Sequence, residues 1–150
     1  MEQVSPRLDN LVGFYLEDLH VGMTARIART VTEADILMFA GVSGDTNPLH
    51  LNEVYAQGTM FRGRIAHGIL TASLISAVFG TLLPGPGAVY VTQNLRFKAP
   101  VRAGDTVDTR VTVAEITPGK NRVVMQAVCK VGDRVVVDGD AVLMVPARPA

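Results

Sequence analysis

The sequence predicts an α+β domain in which an antiparallel sheet of about five strands wraps around one long central helix. Three observations carry that expectation. The run from Gly68 to Leu83 contains no charged side chain, and its apolar residues cover nearly every helical face, as in a helix buried on all sides. The C-terminal part of the chain divides into stretches rich in Val and Thr, separated by Gly and Pro, which is the pattern of strands joined by turns. A sheet with one apolar face needs a cover, and only the Gly68–Leu83 segment is apolar enough to provide it.

Composition fits that architecture. The chain has 150 residues, 48% of them hydrophobic, which suits one compact domain with a sizeable core. Fourteen basic residues balance fourteen acidic ones, so no global field draws nucleic acid or an anionic membrane. Cys129 is the only cysteine, which excludes an intrachain disulfide framework and suits a reducing compartment. It lies in a strand-like run and reads as a packed core residue. Met1 to Arg7 lacks the basic start and apolar stretch of a secretory signal, and the run Ile69 to Leu83 is shorter than the roughly 20 residues that cross a bilayer. A cytoplasmic protein with neither membrane nor nucleic-acid partners is expected.

In chain order, residues 1–13 mix charges, a proline and isolated apolar residues without a period, and are read as a disordered lead-in to a single domain over 14–150. After a turn at Val21-Gly22, a strand centres on Ala25 to Ala28. Thr32-Glu33-Ala34-Asp35 has the form of a capping box, with Asp in the place of the usual Glu or Gln. The helix it opens presents Ile36, Phe39 and Ala40 on one face and should stop near Gly41 to Gly44. Leu51 to Arg64 reads as loop. The central helix runs from Gly68 until Pro84-Gly85-Pro86-Gly87 ends it. The remaining strands are Ala88–Phe97, Asp105–Ile116, Arg122–Lys130 and Arg134–Val145, expected as an antiparallel meander. In the second of these, Val107, Thr109, Val111 and Val113 alternate with Asp108, Arg110 and Thr112, so one face is buried and the other wet.

Two motifs stand out from this scaffold. Gly44-Asp45-Thr46-Asn47-Pro48-Leu49-His50 places an acid and a histidine five positions apart across a turn that Asn47-Pro48 stiffens, and His67-Gly68 opens the central helix soon afterwards. Each residue alone has a structural explanation: Asp45 as a turn former, and His50 as a satisfied core side chain. Their joint occurrence points to an active site. His20, His50 and His67 lack close metal-ligand spacing, so no metal site is expected.

The stretch Phe39 to His50, followed by Ala66-His67-Gly68-Ile69-Leu70 and Thr71-Ala72-Ser73-Leu74, resembles the MaoC-like (R)-specific enoyl-CoA hydratases of the hot-dog fold. Gln93-Asn94-Leu95-Arg96-Phe97-Lys98-Ala99-Pro100-Val101 extends the likeness, which covers about Leu16 to Val145. The resemblance implies reversible addition of water to trans-2-enoyl-CoA, with no cofactor beyond the coenzyme A that the substrate carries, in a homodimer. It implies that Asp45 and His50 are the catalytic pair, that Ser76 on the central helix supports the site, and that the Gly68 N–H faces the thioester oxygen. Phe39 stands where many members have tyrosine.

Hydration needs a base for the attacking water, a proton for the α-carbon and a partner for the developing enolate. His50 is expected as the base and Asp45 as the donor, with burial beside the central helix favouring the protonated acid, although the sequence leaves that division open. Gly68 at a helix start offers an unpaired N–H and the positive end of the dipole. Asn47 is expected to hold the turn. His67 reads first as a buttress of the helix start and second as a ligand contact. Arg96 and Lys98, two apart on one strand face, are candidates for CoA phosphates, against the commoner reading of a solvated strand edge. A hot-dog thioesterase, a dehydratase acting on acyl carrier protein and a non-catalytic acyl-CoA-binding module are the competing readings.

Overall fold

The structure, a computed structural model, describes residues 11–150. The sequence reading of a lead-in over 1–13 therefore falls mostly outside the described residues. Of the remainder, the Gly13 and Phe14 amides donate to the Pro86 and Pro84 carbonyls. A Cβ on Gly13 would lie 2.4 Å from the Pro84 oxygen, so this close approach requires glycine.

Five strands form one antiparallel sheet: β1 (Thr24–Thr30), β2 (Val89–Phe97), β3 (Thr106–Thr117), β4 (Arg122–Val131) and β5 (Arg134–Met144). Four helices lie between β1 and β2: α1 (Glu33–Ser43), α2 (Pro48–Leu51), α3 (Glu53–Gln57) and α4 (Gly68–Thr81). The strand order is β1-β3-β4-β5-β2. The simple meander is thereby corrected: β3, β4 and β5 do follow one another, but β2 pairs with β5 at one edge and β1 with β3 at the other. Alternation along a strand reports which face is buried and is silent on which strand lies alongside. The β2–β5 pairing depends on Gly139, where a Cβ would come within 1.8 Å of the Asn94 carbonyl oxygen.

α4 packs against β1, β3, β4 and β5, and the sheet curves around it in the hot-dog arrangement. Leu74, Ile75, Val78 and Phe79 of the helix join Val107, Val111 and Val113 of β3, Val123, Met125, Ala127 and Cys129 of β4, and Val137, Ala141 and Leu143 of β5 in one hydrophobic cluster. The predicted alternation in β3 holds residue by residue, with positions 107, 109, 111 and 113 buried. The expectation that α4 is buried all round holds for only part of its circumference, since Ile69, Ser73, Ser76 and Ala77 are exposed in the single chain.

The capping box of α1 forms as the sequence predicts. The Thr32 hydroxyl accepts from the Asp35 amide at 3.1 Å, and the Asp35 carboxylate accepts from the Thr32 amide at 2.9 Å. Gly44 closes the helix in the left-handed region, φ 75°. The stretch Leu51–Arg64 is not simply loop. It contains α3, capped by Asn52, whose Oδ1 accepts from the Tyr55 amide; five helical residues are too few to carry a periodic signal.

Candidate active site

The turn between α1 and α2 is built from side chain to main chain. The Ser43 hydroxyl accepts from the Asp45 amide, Asp45 Oδ1 accepts from the Asn47 amide at 3.2 Å, and Asn47 Oδ1 accepts from the Leu49 amide at 3.0 Å. Asn47 is thus the N-cap of α2, with Pro48 at the first helical position, where its missing N–H and fixed φ suit the helix. This succession of short bonds sends the chain back on itself, so that His50 returns towards Asp45.

His50 is buried, and its Nδ1 lies 2.8 Å from the Ile65 carbonyl oxygen. A carbonyl only accepts, so Nδ1 carries the proton and, in the neutral ring, Nε2 is left as a bare acceptor. That Nε2 stands 4.0 Å from Asp45 Oδ2. The Asp45 side chain is 50% exposed, which corrects the expectation that it is buried beside the apolar helix.

His67 completes the cluster. Its Nε2 lies 2.9 Å from the main-chain oxygen of Asp45, and its ring stacks on His50 with centroids 3.9 Å apart. Phe39, at the position where many members of the resembling family have tyrosine, packs on the same ring at 4.8 Å. Linear spacing argues against a shared ion, yet folding brings one ligating atom each of Asp45, His50 and His67 within 4.8 Å of one another. One nitrogen of each ring is engaged by a main-chain carbonyl.

His67 is also the N-cap residue of α4, which makes Gly68 its first helical residue. The first amides of a helix have no intrahelical partner. A Cβ on Gly68 would come 2.7 Å from Cδ1 of Phe97, so the glycine admits the aromatic ring against the helix start. Gly68, Thr71, Phe97 and Lys98 line a cavity of about 500 Å³ with Met60, Phe61 and Val101. The helix start thus faces a largely apolar cavity with one cation at its wall.

The other predicted site residues fall at different distances from this centre. Lys98 Nζ and Arg96 Nε both reach Asp138, at 3.0 and 3.2 Å. The Lys98 bond, reinforced by Arg96, holds the Asp138 carboxyl below the usual carboxylate range. Two cations thus share one carboxylate on the exposed sheet face. Ser76 lies eight residues beyond Gly68, roughly 12 Å along the helix, and the single chain does not bring it to the Asp45–His50 pair. It sits by Tyr90, whose phenol pKa is raised by burial and partly lowered by the Ser76 hydroxyl. The sequence reading gave no role to Ile65, whose carbonyl sets the His50 tautomer; a main-chain acceptor leaves no mark in side-chain chemistry.

A sequence model of the family described as MaoC like domain matches residues 19–134. The chain is 56% identical to the (R)-specific enoyl-CoA hydratase of Rhodospirillum rubrum, over 93% of this chain and 97% of that protein. It is 50% identical to the 3-hydroxybutyryl-CoA dehydratase of Methylorubrum extorquens, over 94% of this chain and 90% of the other. Among solved structures it superposes on the (R)-hydratase from A. caviae involved in PHA biosynthesis with a TM-score of 0.83 at 38% identity, covering 87% of this chain and 99% of that one.

Proposed function

Because this chain belongs to the MaoC-like domain family, we propose that it is an (R)-specific enoyl-CoA hydratase, adding water reversibly to trans-2-enoyl-CoA to give (R)-3-hydroxyacyl-CoA. The observation that carries the reading is the pair itself: an imidazole with a bare Nε2, a carboxyl group 4.0 Å away, and the start of α4 in the wall of a largely apolar cavity. One water fits between Nε2 and Oδ2 with two ordinary hydrogen bonds. His50 takes a proton from that water as its hydroxyl bonds to C3 of the enoyl group. Asp45, on the other side of the water, enters this step as the carboxylic acid and gives its proton to C2. The negative charge that passes through the thioester oxygen meets the Gly68 N–H and the positive end of the α4 dipole. His50 has then gained a proton and Asp45 has lost one, and the pair is reset when that proton passes from His50 to Asp45 through the next water that bridges them.

Water addition changes no overall oxidation state, so the reaction calls for no redox carrier, and the His–Asp pair supplies a base without a metal. The coenzyme A of the substrate is the sole coenzyme in this reading. In this reading Lys98, which lines the cavity, meets its phosphates. We assign the working assembly as a homodimer: β2 ends the sheet, and Val89, Tyr90 and Val91 on it are exposed beside Ile69 of α4, an apolar edge that invites pairing. The buried lone Cys129 and the lack, among the described residues, of any helix long and apolar enough to cross a membrane suit a cytoplasmic location.

Crotonyl-CoA tests the reading. Loss of the enoyl absorbance without thiol release, and an (R)-3-hydroxybutyryl product on chiral analysis, are expected. Thiol release would indicate a thioesterase, and binding with neither signal would indicate a non-catalytic module. Light scattering should give twice the 16.0 kDa chain mass; an active monomer would refute the dimer.

A further inference from the structure

Buried His67 combines features that a purely structural residue would not need. It is 1% exposed, and its Nδ1 has no hydrogen-bond partner among the described residues. With Nε2–H donated to the Asp45 carbonyl, Nδ1 of the neutral ring is an acceptor left unfilled inside the protein. An unfilled buried acceptor costs stability, and an aromatic hydrocarbon ring would fill the same volume without that cost. What histidine adds over such a ring is the Nε2 donor, directed at the main chain of Asp45.

The other contacts of the ring show what that donor accomplishes. The His67 ring packs on Phe39 of α1 and on His50 of α2, with centroids at 4.8 and 3.9 Å. Its backbone continues directly into Gly68 at the start of α4. Apart from His67, the turn carrying Asp45 is held, among the described residues, by bonds within residues 39–52 and by the Ile65 amide on the Leu49 carbonyl, and its carboxylate is half exposed. His67 is therefore the side chain that joins Asp45, His50 and the helix start into one frame.

We propose that His67 is a positioning residue for the hydration reaction, its Nε2–H fixing the Asp45 main chain and its ring face supporting His50, so that the carboxylate and the imidazole stay one water apart. This rests on the hydratase reading for its catalytic consequence. It goes beyond that reading by assigning the geometry of the pair to a residue that does not touch the substrate. Displacements of about 1 Å in reacting groups can cost roughly 100-fold, which sets the scale of the effect.

Two variants of the full-length protein separate positioning from packing. His67→Phe keeps the stacking ring and removes the donor, while His67→Gln restores an N–H near the place of Nε2. With crotonyl-CoA, His67→Phe should lower kcat roughly 10- to 100-fold at nearly constant KM, with a melting temperature equal to or above that of the parent. His67→Gln should recover at least part of kcat. In the unliganded protein, backbone 15N relaxation and the Thr46 amide shift should show the 45–47 turn loosened in His67→Phe and retightened in His67→Gln. Wild-type kcat in His67→Phe, or a turn unchanged in that variant, would overturn the proposal. If His67→Phe does not fold, a His67→Gln variant that folds with an unrestrained turn would overturn it equally. The relaxation experiment uses no substrate, so an inactive wild-type protein would refute the hydratase reading while leaving this test of the frame intact.

Discussion

His50 Nε2 and Asp45 Oδ2 face each other across 4.0 Å, too far for a direct hydrogen bond and close enough for one water to bridge. The separation is set from behind: the Ile65 carbonyl holds the imidazole by Nδ1, and the Asn47-capped turn holds the acid. Two isosteric changes test this relationship. Asp45→Asn keeps the Oδ1 acceptor for the Asn47 amide. His50→Asn keeps an N–H near the Ile65 carbonyl and removes Nε2. Each should reduce kcat by about 10²- to 10⁴-fold, the usual range for an acid–base group, with folding retained by circular dichroism. Near wild-type turnover in either variant would remove that residue from the mechanism.

Gly68 and Phe97 are coupled by contact. Gly68→Ala places a methyl group where the Phe97 ring now lies, 2.7 Å from Cδ1. Phe97 is 53% exposed, so its ring can swing aside at small cost to stability, and the cavity it lines changes shape. The expected outcome is a raised KM for enoyl-CoA with a melting temperature within a few degrees of the parent. Phe97→Ala in the same chain should recover part of the loss. Additivity of the two changes in a double-mutant cycle would contradict the contact.

Lys98 lines the cavity while sharing Asp138 with Arg96. If it meets the phosphates of coenzyme A, Lys98→Ala should raise KM several-fold for crotonyl-CoA at low salt, and less at high salt, where the attraction is screened. A crotonyl thioester of N-acetylcysteamine has no phosphate and should be unaffected. Equal changes in KM for both thioesters would point to a packing effect.

Asp35 links stability to pH. The Thr32 amide bond holds its carboxyl below the ordinary value of 3.8, and Arg29 adds to the effect. A depressed folded-state pKa gives stability that is fully present above the unfolded value and is lost as pH falls through the folded one. Asp35→Ala should therefore cost about 0.5–2 kcal/mol near neutral pH, as capping losses do. The parent and variant should converge as the pH drops below about 3.8. A constant difference down to pH 2 in denaturation curves would show that the charge is not the source.

The sequence by itself determined the local elements. Thr32 and Asp35 announced the start of α1, Gly44 its end, and Pro84 to Gly87 the stop after α4, because caps and breakers act through the few residues beside them. The alternation through β3 likewise fixed which face is buried, since burial follows period, whereas the apolar run from Gly68 marked the central helix without telling which part of it stays exposed in the single chain. The Asp45–His50 pair was legible as a motif because Asn47 and Pro48 build its turn from adjacent residues.

Only the tertiary structure decided what depends on distant partners. The placing of β2 beside β5 rests on backbone pairing, to which side-chain periods are blind, and on Gly139, whose missing Cβ matters only once Asn94 lies against it. The tautomer of His50 comes from the carbonyl of Ile65, fifteen residues away. The stacking of His67 on His50 and its bond to Asp45 arise because the start of α4 is folded against the turn after α1. The half-exposed state of Asp45 also belongs to this level, since solvent reaches a side chain according to what packs over it and not according to its neighbours in the chain.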